Sequence, residues 1–217
     1  MSFEYVPKGE YQPFKLEVDG ILREVQKYLR KNKILTFQFN LIGSAGRKLI
    51  TRVKNGNKGF DLDYNIVIQK ILNEKYEDPK LLKEIFVKLF NRYFDDSYDY
   101  SEDSTSVITI KKLNANRNKI ICSVDFAIVS YYEDDDGKER QEYVRFDKNT
   151  NTYSWALRKV ATDHRYVENL IKDNGLWQNV KKLYLENKNK EPDKKSRIVY
   201  YQTLDTIFKR NFQQKER

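Results

Sequence analysis

Cysteine occurs once in the 217 residues, as Cys122, and histidine once, as His164. The lone cysteine excludes an intrachain disulfide and a cysteine-based zinc site, and the lone histidine excludes a multi-histidine metal centre. His164, beside Asp163, reads as a surface or capping residue. Proline is limited to 4 residues and glycine to 8, so those present read as punctuation between elements. No apolar run approaches membrane-spanning length, and no membrane partner is expected. The opening Met1-Ser2-Phe3-Glu4-Tyr5 does not read as a secretory signal. A cytoplasmic location is the expectation.

Hydrophobic residues make up 39% of the chain and aromatics 14%, enough to supply a packed core. Charged residues reach 34%, the mean hydropathy is −0.82, and the net charge is +9. Such a balance favours anionic partners such as nucleotides, nucleic acid or phosphate-rich substrates. A general abundance of Lys and Asn accounts for the charge equally well, so the charge alone does not make a nucleic-acid binder.

Two stretches carry more chemistry. The first is the apolar run Ile34–Ile42, which ends on Gly43-Ser44. The second is Phe60–Ile68, which opens on Asp61-Leu62-Asp63. Both are rich in strand-forming residues. On a strand, Asp61 and Asp63 share a face and Leu62 takes the other. Carboxylates so close repel unless a cation lies between them, and hard divalent cations take oxygen ligands of this kind. Gly43 permits a tight turn, and the residues after it offer backbone N–H groups to phosphate. A third acid, Asp125, stands in the apolar run 119–129, where an ionised group is costly unless paired or bound to metal.

Gly-Ser, then Asp-x-Asp on a strand, then a lone Asp on a later strand resembles the nucleotidyltransferase superfamily that includes DNA polymerase beta. The segment Gly43-Ser44-Ala45-Gly46-Arg47 looks most like the branch of oligoadenylate synthetases and bacterial cyclic-oligonucleotide synthases. The resemblance covers roughly residues 35–130. It implies an α+β fold: a polymerase beta-like nucleotidyltransferase core, a mixed sheet flanked by helices, with a C-terminal helical subdomain. It further implies transfer of a nucleoside monophosphate from a nucleoside triphosphate to a hydroxyl, with release of pyrophosphate. Asp61, Asp63 and Asp125 would be the catalytic and metal-binding acids, holding Mg²⁺ or Mn²⁺. Gly43, Ser44, Arg47 and Lys48 would bind the nucleotide, with Lys54 or Lys58 as a further cation for the pyrophosphate. The acceptor is open among nucleic acid, a second nucleotide, an antibiotic or a protein hydroxyl. Two features depart from the pattern: residues 45–60 make a long, basic gap between Ser44 and Asp61, and the segment after Asp125 lacks a proline.

The rest of the chain divides into a core over residues 1–155 and a helical subdomain over 156–217. A helix is expected at 13–31, a strand at 34–43, a short helix at 44–53 and a flexible turn at 54–59. Asp78-Pro79 signals a helix start, with Leu81, Leu82, Ile85, Phe86, Leu89 and Phe90 as its buried face. Residues 95–103 read as an exposed loop, 105–113 and 119–129 as a hairpin, and Asp134–Asp136 as a solvated turn before Gly137. Short strands follow at 139–146 and 151–155, then helices at 156–171, 176–187 and 195–211. Tyr153 and Trp155 read mainly as core residues, with base stacking as the lesser role. Two other functions fit the sequence: an inactive nucleotide-binding or antitoxin-like partner on the same fold, and a basic nucleic-acid-binding protein.

Overall fold

The computed structural model describes residues 1–99, 102–158 and 164–213. The chain forms two compact units. The larger comprises residues 6–50 and 57–158; the smaller comprises residues 1–5, 51–56 and the described part of 159–217.

The larger unit is an α+β layer structure. Its elements are α1 (Lys8–Lys31), β2 (Leu35–Ile42), α2 (Gly43–Gly46), β4 (Phe60–Ile71), α3 (Pro79–Tyr93), β5 (Glu102–Asp103), β6 (Ile108–Leu113), β7 (Ile120–Glu133), β8 (Glu139–Asp147) and β9 (Thr152–Leu157). Seven strands form one mixed sheet in the order β2-β4-β7-β6-β5, with β8 continuing from β7 and β9 pairing with β8. The pair β4–β7 is parallel and the other pairs are antiparallel. Parallel neighbours need a long crossover, and the chain between β4 and β7 supplies it with α3, β5 and β6.

Alternation along β4 sorts the two faces. Phe60, Leu62, Tyr64 and Ile66 enter the main core with Val124, Phe126 and Ile128 of β7. Leu22, Val25 and Leu29 of α1 and Leu82, Phe86 and Phe90 of α3 close the same core. Phe90 stacks on Phe126 at 4.4 Å between centroids, and Phe37 meets Phe86 edge-on at 5.4 Å. Asp78 caps α3 by accepting from the N–H groups of Lys80 and Leu81, and Pro79 occupies the first helical position. Charged groups share the core: Lys83, 2% exposed, donates to the Ser104 carbonyl at 2.8 Å, and Asp19 accepts from the Tyr64 hydroxyl at 2.7 Å. The helical period placed Leu81 and Ile85 on the buried face, yet both are only half-buried.

Several boundaries differ from expectation. Helix α1 starts at Lys8 rather than residue 13 and carries Pro13 inside it; the Glu10 and Tyr11 N–H groups already donate to the Pro7 carbonyl, so the first turn is formed ahead of that proline. The helix expected at 44–53 is four residues of α2; Lys48, at φ +59°, ends the turn and Thr51–Val53 form β3. The partner of β3 is β1 (Phe3–Tyr5), distant in sequence and so invisible to local patterning. Strand β6 starts at Ile108 rather than 105, because Ser104 closes a turn onto the Val107 carbonyl. The loop expected at 95–103 includes the short strand β5; Tyr100 and Ser101 lie outside the described residues. Ala156 and Leu157 belong to β9, not to a helix, because β8 offers them a strand partner. Residues 159–163, including Asp163, lie outside the described residues.

Among the described residues, the smaller unit holds the β1–β3 pair and three α-helices, α4 (Arg165–Asp173), α5 (Trp177–Lys190) and α6 (Ser196–Phe208), the last running on into a π-helical turn at Lys209–Gln213. Gly175, at φ +70°, turns the chain between α4 and α5. Asn189 brackets Phe3, accepting from its N–H at 2.6 Å and donating to its carbonyl at 3.2 Å. His164 stacks on Tyr201 at 4.2 Å and lies 3.5 Å from Asp205. Among the described residues no helix is long and apolar enough to cross a membrane.

Candidate active site

The face of the sheet opposite α1 and α3 carries the acids. Asp61 and Asp63 lie on β4, two residues apart, while Leu62 between them is fully buried in the core. The parallel register places Asp63 beside Asp125 of β7 and Asp61 beside Ser123. Register partners on neighbouring strands are about 4.8 Å apart and point to the same face. The three acids, the third about sixty residues beyond the first two in sequence, thus share one patch of sheet.

Each carboxylate has its own surroundings. The Ser123 hydroxyl donates to Asp61 Oδ1, and the Thr109 hydroxyl donates to Asp125 Oδ1 at 2.6 Å. Thr109 is the register partner of Asp125 on β6, and Lys111 that of Ser123. Burial, reinforced by Asp125 and Asp61, raises Asp63 from 3.8 to about 6, with Arg47 opposing the shift. Asp125 is also raised, first by burial and then by Asp61, against the Thr109 hydrogen bond and Lys111.

The turn after β2 closes over Asp63. Ile42 is the register partner of Asp63, and Gly43 follows at φ +63°. A Cβ on Gly43 would lie 2.1 Å from Asp63 Oδ2, so only glycine fits there. Arg47 folds back to donate to the Gly43 carbonyl at 3.1 Å, which brings its charge to Asp63. Ser44 is half-buried, and its carbonyl accepts from Leu49 N–H at 2.8 Å. The structure therefore brings Gly43, Ser44 and Arg47 to the acids. Lys48 is exposed at the end of the turn, Lys58 is exposed in the next one, and Lys54 belongs to the smaller unit. Tyr153 and Trp155 are half-buried against the main core.

The chain is similar in structure to bacterial cyclic-dinucleotide synthases. A STING-associated c-di-GMP synthase from Capnocytophaga granulosa aligns at TM-score 0.49 and 16% identity, over 86% of this chain and 58% of that one. A cyclic dinucleotide synthase from Elizabethkingia meningoseptica, solved with GTP and Apcpp, aligns at 0.46 and 16%, over 91% and 61%. The Vibrio cholerae cyclic AMP-GMP synthase aligns at 0.44 and 15%, over 70% and 38%. The chain thus spans between 38% and 61% of the length of these three proteins. No family model matches the sequence, and no curated protein does.

A divalent cation suits this patch by its donor chemistry. Three carboxylates, all hard oxygen donors, share a face; burial first, and then repulsion from Asp125 and Asp61, raises Asp63, and a bound cation would relieve the repulsive part. Among the described residues no group of three or more His, Cys, Asp or Glu side chains is already closed around one point. Ser123 and Thr109 instead hold two of the acids by hydrogen bonds.

Sequence reasoning missed several neighbours. Ser123 and Asn65 follow from the period-two rule, lying two residues from Asp125 and Asp63. Thr109, Lys111 and Gln141 require strand register, and Arg158 requires the tertiary fold. Cys122 points into the core, where burial pushes its thiol up to about 12 and leaves it chemically quiet.

Proposed function

We propose that this chain is a metal-dependent nucleotidyltransferase, moving a nucleoside monophosphate from a nucleoside triphosphate to a hydroxyl and releasing pyrophosphate. The observation that carries the reading is the register pairing of Asp63 with Asp125, with Asp61 on the same face and Gly43 packed against Asp63. Asp61, Asp63 and Asp125 would hold Mg²⁺ or Mn²⁺, which when bound neutralises phosphate charge and lowers the pKa of the attacking hydroxyl. Gly43, Ser44 and Arg47 meet the triphosphate at the end of β2, where Arg47 supplies positive charge. Asp125, raised by burial and already oriented by Thr109, receives the proton of the acceptor hydroxyl. The acceptor is a hydroxyl of a nucleic acid or of a second nucleotide, in keeping with the net charge of +9.

The test is pyrophosphate release from each of the four ribonucleoside triphosphates, with and without Mg²⁺ or Mn²⁺. The Asp61→Asn/Asp63→Asn variant is expected to retain its circular dichroism and lose release entirely. Turnover that persists in this variant overturns the assignment. Nucleotide binding without release in the parent protein favours an inactive nucleotide-binding partner instead.

A further inference from the structure

One row beyond Asp63 on the acid face stands Asn65, 5% exposed, with Ala127 as its register partner on β7. The row after that is apolar: Val67 and Val129 are buried, with Tyr143 packed beside them. Arg158, just past the end of β9, reaches back over this part of the sheet. Its backbone N–H extends the β8–β9 ladder by donating to the Gln141 carbonyl at 2.8 Å. Its Nη1 donates to Gln141 Oε1 at 2.8 Å and to Asn65 Oδ1 at 3.3 Å. The guanidinium carbon lies 5.7 Å from the centroid of the Tyr143 ring. Gln141 is itself fixed, because its amide nitrogen donates to the Tyr131 hydroxyl.

Between Gln141 on β8 and Asn65 on β4 lies β7, where Ala127, the register partner of Asn65, presents only a methyl group. The result is an arginine held against Asn65, Gln141 and Tyr143, and Asn65 stands one row, roughly 7 Å along β4, from Asp63. Arg47 stands on the other flank, beside the β2 turn. A polyanion laid across a face with three carboxylates needs positive charge on both flanks, and a planar, delocalised guanidinium is the side chain best matched to phosphate oxygens.

We infer that Arg158, oriented by Asn65 and Gln141, is a substrate-binding residue that grips a phosphate oxygen of the nucleotide on the flank of the acid face opposite Arg47. The inference rests on the nucleotidyl-transfer reading of the same site. A strand-tying role for Arg158 alone would call for none of this placement beside the acids, and the two roles respond differently to substitution.

The experiment measures binding of ATP, GTP, CTP and UTP in Ca²⁺ by calorimetry, alongside the matching nucleosides, with the melting temperature of each protein. Arg158→Met is expected to weaken triphosphate binding by about tenfold or more, the loss of one charge-assisted hydrogen bond, and to leave nucleoside binding unchanged. Arg158→Lys should recover part of the affinity. Gln141→Glu keeps the arginine but gives it a carboxylate partner that competes with phosphate. It should weaken triphosphate binding while the melting temperature holds or rises. Parent-like triphosphate binding in Gln141→Glu, or equal losses for triphosphate and nucleoside in Arg158→Met, overturns the inference. If the parent protein releases pyrophosphate and the variants bind as it does, this inference alone falls. If the parent binds no triphosphate, the nucleotidyl-transfer reading falls with it.

Discussion

The carboxyl group of Asp63 is pressed by Gly43 on one side and by two like charges on the others. Burial, reinforced by those like charges, has a thermodynamic signature. A carboxyl raised from 3.8 to about 6 binds more protons folded than unfolded between those values. Asp63 should therefore contribute a loss of stability in the metal-free protein, on the order of 3 kcal/mol, as pH rises from about 4 to 6. Urea unfolding in EDTA across this range checks the sign; in Asp63→Asn the fall should flatten. Gly43→Ala tests the close approach directly. Its methyl group must displace either the turn or Asp63, and roughly a hundredfold loss of pyrophosphate release is expected. Release at the parent rate would show that the turn has no part in the chemistry.

At the scale of elements, α3 and the β4–β7 pair form the support beneath the acids. Phe126 follows Asp125 directly and points the opposite way, onto Phe90. Packing on one face thus fixes the strand that displays the acid on the other. Phe90→Ala removes a fully buried ring and should cost about 3–5 kcal/mol in urea unfolding. A loss below about 1 kcal/mol would mean that α3 is not anchored as the structure has it. The start of α3 was readable from the chain, since Asp78 and Pro79 act within one helical turn. The burial of Lys83 was not, because its acceptor, Ser104, lies twenty-one residues away.

The whole molecule is organised as two units, and the smaller depends on pairing between distant segments. Residues 3–5 hydrogen-bond with residues 51–53, and α5 secures them through Asn189 and through the Lys181 carbonyl, which accepts from the Tyr5 hydroxyl at 2.6 Å. Asn189→Ala removes two bonds to the Phe3 backbone. Hydrogen exchange should quicken in β1, β3 and α5 while β4 and β7 keep their protection. Equal acceleration throughout would mean that the two units open together.

The sequence by itself determined the periodic elements and the acid pair. Helical and strand periods, the Asp-Pro start and the Gly-containing turns act over a few residues, so they can be read without a fold. Asp61 and Asp63 share a face for the same local reason. Tertiary structure decided which strands are neighbours, and therefore that Asp125 lies beside Asp63, that Thr109 and Ser123 hold the acids, and that Arg158 crosses to Asn65. It also turned residues 51–53 into a strand, because hydrogen bonds from residues 3–5 outweigh the local preference of a short basic segment. Register between distant strands is set by the burial of whole faces, and no short window of sequence contains that information.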